Sequence, residues 1–79
     1  MLIVLKDAVI NWHHIVDFTW GAVHDGTKDI HVVYLRTTKD KYKIKEFDSK
    51  SSAESFIVNN IPRIFAESEG KSIVDLRKI

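Results

Sequence analysis

Between Ser49 and Ser68 the apolar residues Ala53, Phe56, Ile57, Ile61, Ile64 and Phe65 recur at helical spacing, the one segment of the chain in which they do. Spacings of i, i+3, i+4, i+8, i+11 and i+12 line them along a single stripe of an α-helix. Such a stripe has to cover an apolar surface, and the remaining segments read as short strands. The expected fold class is therefore α+β: a small, largely antiparallel sheet of about four to five strands packed by one C-terminal amphipathic helix.

The strands are expected at about residues 2–5, 8–10, 14–23, 30–37 and 41–47, the helix at 49–68, and a further short strand at 72–77, all within a single domain. Leu2 to Leu5 is a continuous apolar run, as in a strand buried on both faces or packed at an interface. Asn11 supports a turn that Trp12 pins against the core. From His14 the pattern has period two, with Val16, Phe18, Trp20 and Ala22 on one face. Asp25 and Gly26 give the strongest turn signal, inside a polar loop from His24 to Asp29. Ile30 to Thr37 is apolar on both faces and belongs in the centre of the sheet. In the next strand Tyr42 and Ile44 face inward and Lys41, Lys43 and Lys45 outward, and Phe47 breaks this alternation as the chain leaves for the helix.

Asp48 or Ser49 caps that helix, or Ser51 with Glu54 forms a capping box if it starts later. Pro62 lacks an N–H for the carbonyl of Val58 and disfavours helical geometry at Ile61, so a kink is expected near Pro62. Gly70 is the natural stop.

Composition narrows function more than it names it. An apolar fraction of 44% and a charged fraction of 29% are those of an ordinary globular domain, and a net charge of +1 favours neither sign of partner. With no cysteine, disulfides, thiolate zinc sites and cysteine nucleophiles are excluded, which fits a reducing compartment. The apolar N-terminus is cut off by Lys6 and Asp7 too early for a signal peptide, and no run reaches membrane-spanning length. The expectation is a cytoplasmic protein without a membrane contact.

Four histidines raise the question of a metal: His13, His14, His24 and His31, with Asp17, Asp25 and Asp29 nearby. A hairpin about Gly26 would set His24 opposite His31, but two imidazoles match no zinc signature, and adjacent His13 and His14 point to opposite faces of a strand. No metal or other cofactor is expected. Serines 49, 51, 52 and 55 lack any marked base or oxyanion hole, and the three glycines are too scattered for a phosphate loop, so no enzyme is expected. Lys41, Lys43 and Lys45, extended by Arg36, would suit a nucleic-acid platform, with aromatic rings such as Trp20 and Tyr34 beside them. Lysines on an edge strand also block aggregation, which is the preferred reading. Trp12 and Trp20 complete the candidate surface. Exposed beside the N-terminal run, either would serve as an aromatic anchor.

Ile10, Asn11, Trp12 and Ile15, followed by two strands and then Phe47, Asp48, Ser49, Ala53, Phe56 and Ile57, resemble small uncharacterised proteins of Gram-positive bacteria and their phages. The same order is similar to the C-terminal half of bacterial pleckstrin-homology-like domains. That resemblance implies strands of a bent sheet leading into a closing helix, and brings no catalytic or binding residue with it. Pro62 and the tail after Gly70 depart from both patterns. The function expected is a non-enzymatic protein-interaction or assembly module, forming a homodimer or binding another protein, with nucleic-acid binding through the lysine strand as the alternative.

Overall fold

The computed structural model describes residues 1–79. Its order is β1 (Leu2–Val4), β2 (Val9–Asn11), a 3-10 turn (Trp12–His14), β3 (Ile15–Asp25), β4 (Lys28–Thr37), β5 (Lys41–Phe47), α1 (Lys50–Ser55), a π-helical turn (Phe56–Asn60), α2 (Ile61–Glu67) and β6 (Ile73–Asp75). The fold is α+β. Its strands, however, form two three-stranded sheets, ordered β2-β1-β6 and β3-β4-β5, in place of the single sheet expected.

The second sheet is an antiparallel meander made by local turns. Gly26 has φ of 64°, and no other residue of that turn has positive φ, the type II′ pattern of a two-residue hairpin. Consequently β3 and β4 pair right up to Asp25 and Lys28, through what the sequence suggested was loop. The next turn uses Thr37, whose Oγ1 accepts from the N–H groups of Lys39 and Asp40 at 3.2 and 2.9 Å.

The first sheet cannot form locally. β1 pairs antiparallel with β2 and parallel with β6, so the two ends of the chain lie side by side, Leu2 opposite Ile73 and Val4 opposite Asp75. Parallel neighbours need a long crossover, and here the crossover is nearly the whole protein.

Ser49 caps the helical segment, its Oγ accepting from the Ser52 N–H at 3.2 Å. Where the sequence predicts a kink near Pro62, the structure shows a π-helical turn just before it, with the Ile61 N–H donating to the Phe56 carbonyl. Helical dihedrals persist at Asn60 and Ile61. The wide turn lets Phe56 and Ile61, five residues apart, both be buried, and keeps polar Asn60 out of the position a strict α-helix would give the core. The segment ends at Glu67 with Ser68 as its cap, and Gly70, at φ of 82°, lies in the turn that follows.

The core has two parts. Ile3, Leu5, Ile10, Leu35, Val74 and Leu76 pack under the first sheet, while Val33, Ala53, Phe56 and Ile61 pack between meander and helix. Phe18, Ile44, Phe65 and Ile79 touch both. Only eleven of 79 residues are buried, so the core is thin and a large share of the apolar surface stays at or near solvent.

Candidate interaction surfaces

Three surfaces are left without a covering element: the outer face of the first sheet, the open face of the meander, and the edge of β3.

In each strand of the first sheet the middle residue, Ile3, Ile10 or Val74, points into the core. Side chains alternate along a strand, so the two flanking residues point out. Leu2, Val4, Val9 and Ile73 occupy four of those outer positions, beside Asn11 and Asp75. Leu2, Val9 and Ile73 are 43, 61 and 54% exposed. The N-terminal run is thus buried on one face only. At its edge Asn11 Oδ1 accepts from the His13 N–H at 3.0 Å, and the Trp12 N–H donates to the Met1 carbonyl. Trp12 packs on Phe65, ring centroids 4.8 Å apart, yet remains 40% exposed.

The meander's open face is a grid set by register: Asp17, Arg36 and Lys41 in one row, Thr19, Tyr34 and Lys43 in the next, then Gly21, Val32 and Glu46, then Val23 and Ile30. Its cations are largely matched. Arg36 grips the Asp17 carboxylate through Nε, at 2.7 Å, and Nη2, and these hydrogen bonds hold the Asp17 pKa below and the Arg36 pKa above their ordinary values. Lys43 Nζ donates to Glu46 at 2.8 Å, which raises the lysine's pKa. Lys41 has no acidic partner and sits 4.3 Å from the centroid of the Tyr34 ring.

Lys45 does not belong to this face. A β-bulge leaves Ile44 unpaired between Lys43, opposite Tyr34, and Lys45, opposite Val33. The extra residue turns Lys45 to the helix side, 5.7 and 5.9 Å from the rings of Phe47 and Phe56. The same phase change puts Phe47 inward, so the broken alternation marks a bulge rather than an exit from the sheet. Trp20 also lies on the helix side, half-buried, with Lys50 Nζ 5.3 Å from its ring and His31 against it. It is not an exposed contact residue.

The histidines stay apart. Register pairs His24 with Asp29 and His31 with Ala22, so the two imidazoles do not face one another. His13 and His14 lie on the exposed 3-10 turn, not on a strand. No three His, Asp or Glu side chains converge as a metal site would require. No helix is long and apolar enough to cross a membrane.

The sequence singled out Trp12, Arg36, Lys41 and Lys43, which the structure leaves accessible. It missed Val9 and Ile73, because a strand of three residues is too short for period-two alternation to register. Comparison of the chain with family models, with curated proteins and with solved structures finds no match, so the functional reading rests on these surfaces alone.

Proposed function

We propose that the chain is a non-enzymatic protein-interaction and assembly module. One observation carries this reading: the outer face of the first sheet presents Leu2, Val4, Val9 and Ile73 together, with three of the four among the most exposed large apolar residues of the chain. Scattered apolar residues need no explanation, but a contiguous patch on a domain with so thin a core marks a contact surface. Trp12 at its margin supplies the kind of ring that anchors partners. A reducing, cytoplasmic setting belongs to the proposal, supported by the absence of cysteine. So does a bacterial or phage origin, for which the support is the resemblance of the turn and helix-start residues.

The test compares columns carrying the wild type and the Val9→Lys/Ile73→Lys variant, loaded with the same lysate of the host cell. A partner retained by the wild type and lost by the variant, with circular dichroism unchanged, is the expected result. Equal retention by both, or by neither, removes the reading.

The second reading is nucleic-acid binding on the open meander face, favoured by Tyr34 standing among Arg36, Lys41 and Lys43. Against it, two of those cations are already paired. Lys41→Glu/Lys43→Glu should abolish any salt-sensitive affinity for RNA or single-stranded DNA, and no binding by the wild type at low salt rules it out.

A further inference from the structure

We propose that a second copy of this chain pairs antiparallel along the free edge of β3, about a twofold axis through Trp20, joining two meanders into one six-stranded sheet. This surface is separate from the apolar face of the first sheet, and the proposal extends beyond a contact there.

β3 is the longest strand, eleven residues, and lies at an edge of its sheet. Apart from the Ile15 N–H, which donates to the Trp12 carbonyl, no turn, loop or cap hydrogen bond between backbone groups reaches Ile15–Asp25, so from Val16 onward half of its N–H and C=O groups point outward unpaired. Which half follows from the hairpin. In a two-residue turn the closing pair, Asp25 with Lys28, exchanges hydrogen bonds, and alternation then turns Val23, Gly21 and Thr19 toward β4. His24, Ala22, Trp20 and Phe18 direct their backbone groups outward.

The two edges of the meander are built differently. β5 carries Lys41, Lys43 and Lys45 and a bulge at Ile44 in its middle, the features by which proteins prevent edge pairing, whereas the bulge of β3 lies at Val16, near its start. Along β3 there is no lysine or arginine. Asp17, near its start, is already held by Arg36, and His24 is held by Asp29 at 3.1 Å. One edge is guarded, and the other is open.

The open edge is also self-complementary. A closed dimer needs a twofold, which for one strand means antiparallel pairing with its own copy. Centring the axis on Trp20 matches Asp17–Val23 of one copy with the same residues of the other, clear of the bulge at Val16. Phe18 then faces Ala22 of the second copy and Thr19 faces its Gly21, large against small, while Asp17 faces Val23. Moving the centre one residue to Gly21 sets Asp17 against Asp25 of the other copy, a like-charge pair that destabilises a ladder. The outward groups of Phe18, Trp20 and Ala22 supply roughly six new hydrogen bonds in the preferred register.

Absence of cysteine makes the register directly testable by disulfide mapping. Thr19 and Gly21 of different copies form a wide pair, with Cα atoms about 4.5 Å apart, inside the range a disulfide spans. A side chain fits at Gly21, where the nearest atom to an added Cβ is Tyr34 Cε2 at 3.9 Å. Thr19→Cys mixed with Gly21→Cys should oxidise to a covalent dimer, and neither variant alone should do so. Light scattering at low micromolar concentration should give twice the 9.1 kDa monomer mass. Ala22→Pro removes an outward N–H from each copy and should raise the dissociation constant about tenfold or more; Ala22→Glu gives a second check should the proline variant fail to fold. Val9→Lys/Ile73→Lys should remain dimeric. A wild-type monomer without crosslinks, crosslinking only within a single variant, or a dimer lost in Val9→Lys/Ile73→Lys and kept in both Ala22 variants would each overturn the proposal.

Discussion

The two sheets of this protein are built on opposite principles. The meander consists of consecutive strands of seven to eleven residues joined by tight turns, whereas the first sheet uses three strands of three residues drawn from both ends of the chain. Local pairing needs little loop closure; pairing β1 with β6 closes a loop of nearly the whole chain, at a greater cost in entropy. The difference also explains where the surfaces lie. A three-residue strand with one inward residue must send two outward, so the first sheet exposes apolar side chains, while the longer strands expose a backbone edge and a charged face.

If the two core parts are one cooperative unit, a lesion in either should unfold both, because Phe18, Ile44, Phe65 and Ile79 pack against each. Phe56→Ala, on the meander side, is expected to cost about 3–5 kcal/mol, and Ile3→Ala, under the first sheet, about 2–5 kcal/mol. Denaturant curves followed by Trp20 alone and by Trp12 alone should coincide in both variants. Separated midpoints would divide the molecule into two units.

A smaller effect is expected at the helix start. Ser49→Ala removes the acceptor for the Ser52 N–H and should lower stability by about 1 kcal/mol, read equally by both tryptophans.

Acid titration sharpens the comparison, since each sheet holds one exposed carboxylate in an arginine fork. The Arg77 guanidinium and backbone N–H hold Asp75 at about 2, and Arg36 lowers Asp17. Both carboxyls bind protons more readily in the unfolded chain. Their stabilisation is therefore present above the ordinary carboxylate value of 3.8 and is lost as pH falls below it, for Asp75 toward about 2. Asp75→Asn should flatten part of that acid limb and leave the part due to Asp17. An unchanged limb would show that the Asp75 fork contributes nothing to folding. Smallest of all, Val9→Lys should shift stability by no more than about 0.5 kcal/mol despite removing an apolar side chain, because that residue faces solvent. A larger loss in an isolated monomer would mean the outer face is packed by something in the fold.

The helix stripe, the serine at its start, the Gly26 turn, the period-two alternation of β3 and the central place of β4 were legible because each is a local pattern along the chain. Two features of the candidate surfaces were not. Phe47 breaks the alternation of Tyr42 and Ile44, but that break does not distinguish a bulge within the strand from an exit toward the helix, so the sequence places Lys45 on the wrong face. The exposure of Val9 and Ile73 depends on β1 having partners on both sides, one of them more than sixty residues away.

What the sequence alone determined is the α+β class, the extent of the helical segment and the place of the turns, since short-range sterics and periodicity settle these residue by residue. Only the tertiary structure decided that the strands divide into two sheets, that the lysines part company at Ile44, and that β3 is left with a free edge. Those outcomes depend on which strands find one another, and pairing between distant segments leaves no mark in the spacing of neighbours.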